Sequence, residues 1–138
     1  DTVVLVHDAA RPLTPPQVTG RVIDAVSGGA GAVIPVLPVT DTLKTVDASG
    51  VVVGTPRRSD MVAVQTPQGF RWGVLTRAHE AGASLGVDES RAATDDAGLV
   101  EAIGGTVHTV AGDERSMKVT RPLDLALAQI LVAEETVA

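Results

Sequence analysis

Cysteine and tyrosine are absent from this 138-residue chain, lysine occurs only at positions 44 and 118, and Phe70 and Trp72 are its only aromatic residues. Without cysteine there is no disulfide framework and no thiolate zinc site. The composition suits a reducing compartment, and the cytoplasm is the expected one. Two aromatics leave no platform on which bases could stack, so a single-strand nucleic-acid binder is not expected. Eleven basic against 17 acidic residues give a net charge of −6, which argues against nucleic acid or an anionic membrane as partner. No apolar run approaches the ~20 residues that span a bilayer, and no basic, apolar leader opens the chain. It starts at Asp1 and enters the apolar run "TVVLV" at once, so it reads as a piece of a longer protein.

The length fits one domain with a real core, and residues 1–138 are expected to form it. Val3 to Val6 form a continuous apolar run, the pattern of a strand buried on both faces as in a parallel sheet. A helix should follow, capped by Thr14, with Pro15 and Pro16 in its first turn. Val18, Val22, Ile23 and Val26 would lie on one face, and Gly28 and Gly29 would end it. A second strand over Ala32 to Val36 completes a βαβ unit.

Two β-prone runs, Leu43 to Val46 and Val51 to Val53, then flank a Ser49-Gly50 turn, which predicts a hairpin arm over residues 41–57. Its faces are apolar for a free ribbon. Either it folds back on its own domain or a partner covers it. Further along, Met61 to Gln65 read as a strand, "TPQGF" as a loop, Trp72 to Gly82 as a helix, and Thr94 as the N-cap of a helix through Ile103. Val107 to Val110 read as a strand. The last helix starts near Thr120 and Pro122, with Leu123, Leu127, Ile130 and Leu131 on one face. Strands alternating with helices favour an open α/β sheet.

Several familiar sites are excluded. "GASLG" at Gly82 to Gly86 satisfies a hydrolase elbow pattern, but an elbow needs a strand before its serine, and here a helix precedes Ser84 and a polar loop follows. His7, His79 and His108 lie too far apart for metal-ligand spacing and read as structural. There is no G-x-G-x-x-G and no Walker loop, so any nucleotide cradle lies outside this sequence.

What remains is a set of polar clusters at loop positions. In "VLVHDAARP", His7, Asp8 and Arg11 crowd the carboxyl end of the first strand, where ligands of open α/β sheets gather. Asp8 can accept a hydroxyl or approach a metal. Arg11 can fork onto a phosphate, or the two can simply pair with each other. Lys118 precedes a helix N-terminus, a place already favourable to anions. Lys44 lies on the hairpin, Arg57 and Arg58 follow it directly, and "QTPQGF" and "TDDAG" add Thr66, Gln68, Thr94, Asp95 and Asp96.

Taken together, "HDAARP", "PVTDTLK", "QTPQGF", "TDDAG" and "MKVTRPLDLALA" closely resemble the 2-C-methyl-D-erythritol 4-phosphate cytidylyltransferases of the non-mevalonate isoprenoid pathway. The likeness covers essentially the whole chain and the later part of that family's sequence, without its glycine-rich CTP-binding segment. It implies an open Rossmann-like nucleotidyltransferase sheet with helices on both faces and a protruding β-hairpin arm. It also implies transfer of CMP from CTP to methylerythritol phosphate with Mg²⁺, and a homodimer joined through the arm. Carried over by position, Asp8 and Arg11 resemble the pair that reaches the methylerythritol phosphate. Asp8 also resembles the family's residue near the metal, and Ala9 its residue beside the nucleotide. Thr42 and Arg58 resemble arm residues that enter the neighbouring subunit's site, and Thr66 and Thr94 resemble further substrate contacts. Lys118 resembles the lysine that bridges substrate and α-phosphate.

Two positions depart from the family. "RRSDMVAV" stands where Asp-Arg and Leu-Trp are common, which leaves Arg57 beside Arg58 as the phosphate-holding arginine, and Gly98 stands where serine is frequent. A cytidylyltransferase for ribitol or ribulose 5-phosphate is the nearest alternative. A non-catalytic dimerisation or ligand-binding fragment is the alternative of another class, and the chain by itself is expected to be inactive.

Overall fold

A computed structural model describes residues 2–84 and 93–137. Strand β1 (Val3–Val6) leads through a polar turn into helix α1 (Pro16–Ser27) and then strand β2 (Ala32–Pro38), the expected βαβ unit. A separate two-stranded ribbon follows, β3 (Thr45–Val46) with β4 (Val52–Gly54), and then β5 (Val62–Val64) and β6 (Gln68–Arg71). Helices α2 (Trp72–Ser84) and α3 (Asp96–Ala102), strand β7 (Val107–Ala111) and helix α4 (Pro122–Val137) complete the chain.

The sheet is mixed, where the first strand's pattern had suggested a parallel one. Strand β2 pairs in parallel with β7 from Ala32–Val107 to Val36–Ala111. It pairs antiparallel with β6 at Ala32–Phe70 and Val33–Gly69, and with β5 at Val36–Val64 to Pro38–Val62. Strand β1 lies outside β6, antiparallel to it, from Val3–Arg71 to Val6–Gln68. "QGF" was expected in a loop because Pro67 and Gly69 read as turn residues, yet it forms an inner strand between β1 and β2. The sheet needs glycine at position 69, because a Cβ there would collide with Val22 and crowd Val26 on α1.

Helices cover both faces. Period-2 alternation sends Val3 and Val33 to the α1 side, where they pack with Val22 and Val26. Val4, Val6, Ala32 and Phe70 face the other way, against Leu75 and Ala78 of α2 and Val100 of α3. Val18, Val22 and Val26 are buried on α1 as their spacing required, each contributing about 1.5–3 kcal/mol of apolar burial. Ile23 was expected with them but is 37% exposed, so the stripe is narrower than the sequence suggested. Thr14 does not cap this helix: its hydroxyl donates to the Arg11 carbonyl, and Pro15 takes the N-cap position with no side-chain bond. On α3 the cap is Asp95 rather than Thr94, its Oδ1 accepting the Gly98 N–H at 2.8 Å.

Two apolar surfaces stay open. Every residue from 40 to 53 is exposed, including Val46, Val51 and Val52 of the arm. On α4, Leu123, Leu127 and Ile130 are exposed, Leu131 is half-buried, and Ala128 is the buried residue, so the expected core face does not form here. Among the described residues no helix is long and apolar enough to cross a membrane. The loop expected after Ser84 lies outside the described residues from position 85 to 92.

Candidate active site

Strand β1 ends at Val6, and the chain turns at once, the Arg11 N–H donating to the Asp8 carbonyl at 3.0 Å. That turn brings the Arg11 side chain back over Asp8, where Nε donates to Asp8 Oδ2 at 3.3 Å. The same carboxylate oxygen lies 3.5 Å from Lys118 Nζ. One carboxylate therefore sits between two cations, and the trio keeps a positive balance in a chain of net charge −6. Within the trio the cations outnumber the carboxylate, which favours an anion at that point despite the overall field.

The two cations are held differently. Arg11 Nη1 donates to the Ser116 carbonyl at 2.7 Å and Nη2 to the Val64 carbonyl at 3.4 Å, and its side chain is 13% exposed. With Nε on Asp8, three of the five guanidinium N–H groups are committed, which fixes the fork in place. The Lys118 side chain is 49% exposed and has Asp8 as its ion-pair partner, so it can swing onto a ligand's charge. Its backbone neighbour is anchored, the Val119 N–H donating to the Ala10 carbonyl at 2.8 Å.

Thr66 closes the turn, its hydroxyl accepting the Asp8 N–H at 3.0 Å. Gln68, at the start of β6 and almost wholly buried, donates to Asp95 Oδ2 at 2.8 Å and accepts the Ala97 N–H at 3.1 Å. Asp95 is thus committed to Gln68 and to its cap. Asp96 is held by His79, whose Nε2 lies 2.6 Å from Oδ1.

These residues line one cleft of about 330 Å³. Asp8, Arg11, Thr66, Thr94 and Lys118, all named from the sequence, share it with Gln65, Gln68, Asp95 and Asp96. Ala9, Thr42 and Arg58 are exposed and lie outside it. Arg58 Nη1 instead donates to the Thr40 carbonyl at 2.6 Å, tying together the two ends of the arm, while Arg57 makes a loose, exposed pair with Asp60 at 3.9 Å. The helix N-terminus after Lys118 is already filled: Asp124 Oδ2 accepts the N–H groups of Thr120 and Arg121. Those bonds hold the Asp124 carboxyl below its ordinary value, so Lys118 acts as a charge and not as part of a helix-end anion site.

Sequence reading missed Gln65 and Ser116. Both are buried, and both act through backbone bonds that leave no charge pattern in the sequence. Gln65 at least carried a signal, as a polar residue closing an apolar run.

A family model for "2-C-methyl-D-erythritol 4-phosphate cytidylyltransferase" matches residues 1–134. A protein of that name from Rhodococcus jostii (strain RHA1) is 55% identical over 131 residues, covering 95% of this chain and 55% of the relative. One from Frankia casuarinae is 56% identical over 132 residues, covering 96% and 47%. The crystal structure of 2-C-methyl-D-erythritol 4-phosphate cytidylyltransferase from Thermus thermophilus superposes with a TM-score of 0.79 at 42% identity, covering 94% of this chain and 61% of that one. That of 4-diphosphocytidyl-2C-methyl-D-erythritol synthase from Anaerococcus prevotii reaches 0.84 at 28% identity, covering 95% and 58%. The chain spans about half the length of the curated relatives it matches.

Proposed function

The chain belongs to the 2-C-methyl-D-erythritol 4-phosphate cytidylyltransferase family, and from that premise we propose that the full-length protein carrying it transfers CMP from CTP to methylerythritol phosphate in isoprenoid biosynthesis. The observation that carries the reading is the Asp8–Arg11–Lys118 trio in a cleft at the end of β1. It sets two cations on one carboxylate, at the sheet end where a phosphate would be positioned.

In the reaction an oxygen of the acceptor phosphate attacks the α-phosphorus of CTP in line. A new P–O bond forms, the bond to the β-phosphate oxygen breaks, and pyrophosphate leaves with its electron pair. Such a transfer needs two anions placed together and the growing charge between them neutralised. Arg11, already fixed by Asp8, Ser116 and Val64, would orient the acceptor phosphate with its remaining N–H groups. Lys118 would leave Asp8 for the oxygens shared by acceptor and α-phosphate, and Thr94 would take a further acceptor contact. Ala9, exposed beside the cleft, would leave room for the nucleotide.

Asp8 fits a Mg²⁺ shared with the substrate phosphates. Its Oδ2 holds both cations, and no hydrogen bond occupies Oδ1 among the described residues. Those residues contain no group of three or more His, Asp or Glu that would cage a metal by themselves. When bound, the ion would neutralise charge on the triphosphate.

The arm over residues 41–57 would reach a second copy and bring Thr42 and Arg58 to its cleft. Support comes from its exposed valines and from the absence of both residues from the chain's own cleft. We place the enzyme in the cytoplasm, the reducing compartment that a chain without cysteine suits.

Pyrophosphate release by full-length Lys118→Ala tests the assignment. Turnover should drop by about 10² to 10³, the scale of one lost transition-state donor, and a wild-type rate would remove Lys118 from the mechanism.

A further inference from the structure

His7 is exposed at the end of β1 and lies outside the cleft lining, yet both of its ring nitrogens are engaged. Nε2 lies 3.1 Å from the Arg11 carbonyl oxygen, and Nδ1 lies 3.0 Å from Thr66 Oγ1. A carbonyl oxygen can only accept, so Nε2 must carry the proton. In the neutral ring Nδ1 is then an acceptor, and the hydrogen on that contact comes from the Thr66 hydroxyl. The same hydroxyl oxygen accepts the Asp8 N–H. The proton and one lone pair of Thr66 are therefore committed, and a single lone pair is left. Thr66 lines the cleft, and beside a neutral ring its hydroxyl has an acceptor and no donor left to offer a ligand there.

We infer that His7 is a positioning residue that turns Thr66 into an acceptor-only wall, so that Thr66 receives a hydroxyl of the acceptor polyol and rejects its phosphate. The inference rests on the transfer reading above, which supplies a polyol phosphate as ligand. A fully ionised phosphate monoester has no hydrogen to give and would meet a lone pair; a polyol hydroxyl donates directly. The cleft thereby offers two kinds of group. Arg11 and Lys118 take the anion, and Thr66, held by His7, takes a neutral hydroxyl, which sets how the acceptor lies in the cleft.

The first test needs no substrate. Nitrogen-15 spectra of histidine-labelled full-length protein, with His7 assigned from the signal lost in His7→Phe, should show a protonated Nε2 and a bare Nδ1. The opposite tautomer, or a ring carrying protons on both nitrogens, would overturn the inference whatever the enzyme acts on. The second test compares two probes. In His7→Phe the Thr66 hydroxyl is free to rotate, so the KM for 2-C-methyl-D-erythritol 4-phosphate should rise about five- to tenfold, the scale of one neutral hydrogen bond. The inhibition constant for inorganic phosphate should stay within about twofold. An equal loss for both probes would mean general loosening and would refute the division. Thr66→Ser keeps the hydroxyl and should keep the wild-type ratio between the probes; a ratio like that of His7→Phe would assign the effect to shape and sink the inference. A wild-type enzyme that turns over no polyol phosphate would defeat the transfer reading, and the tautomer measurement would still decide the role of His7.

Discussion

Gln65 is the side chain whose removal should most clearly expose how the Lys118 loop is held. It closes β5, is 5% exposed, and its backbone N–H donates to the Pro35 carbonyl at 2.8 Å. Its amide then clamps Asp113, just beyond β7, Nε2 donating to the Asp113 carbonyl at 2.9 Å and Oε1 accepting the Asp113 N–H at 3.0 Å. Asp113 in turn accepts the Arg115 N–H at 2.8 Å and starts the short helical turn Glu114–Ser116, whose Ser116 carbonyl holds Arg11. Gln65→Ala strips both partners from the Asp113 backbone. Each orphaned group costs about 1–3 kcal/mol when buried, and because Asp113 is only part-buried, water recovers some of it, so we expect about 2–3 kcal/mol in all. At about 2–4 °C per kcal/mol, Tm should fall by about 4–12 °C in differential scanning calorimetry of the full-length protein. Gln65→Glu is the sharper perturbation, because it keeps volume and one acceptor but sets a carboxylate oxygen against the Asp113 carbonyl. It should destabilise at least as much as alanine. A Gln65→Glu Tm within about 1 °C of wild type would refute the clamp.

Three further outcomes follow from the same packing. Gly69→Ala drives a Cβ into Val22 and Val26 and should cost about 1–3 kcal/mol by urea unfolding; an unchanged midpoint would show that α1 can yield there. The Asp124 carboxyl is held below its ordinary 3.8 chiefly by the Thr120 N–H and then the Arg121 N–H, so its contribution is complete above that value and fades as pH falls through the lower folded value. Unfolding midpoints should therefore drop below about pH 4, and Asp124→Asn should flatten that drop, with Asp47, lowered mainly by its Ser49 hydroxyl bond, keeping a share of it. Deleting Val46 to Val53 should convert the proposed dimer to monomer in sedimentation, and a dimer that survives the deletion would rule out the arm as its joint.

The parts of the fold readable from sequence were those in which local pattern and tertiary packing agree. Val3–Val6 as a strand, the valine spacing of α1 and the Gly28-Gly29 stop all point to the βαβ unit that forms, although β1 lies at the sheet edge with Leu5 exposed instead of being buried on both faces. "QGF" was misread because its glycine serves a helix far earlier in the chain, a demand that no local window contains. Asp95 displaced Thr94 as cap because the Gln68 amide orients its carboxylate from another strand. In the cleft, Asp8, Arg11 and Lys118 announced themselves by charge type and position at strand and helix ends. Bringing them within 3.5 Å of one oxygen depended on contacts such as Arg11–Ser116 across more than a hundred residues. The exposed apolar face of α4 carried the opposite lesson: a helix rich in leucine was read as core, and within this chain it has little to pack against.

The most direct test of the account is pyrophosphate release from CTP and Mg²⁺ by the full-length protein, offered 2-C-methyl-D-erythritol 4-phosphate or ribitol 5-phosphate as acceptor. Release with the methylerythritol substrate alone is the predicted result. Release with ribitol 5-phosphate alone would move the cleft to a sister activity and contradict the assignment, and release with neither would leave an anion-binding fold without the proposed transfer.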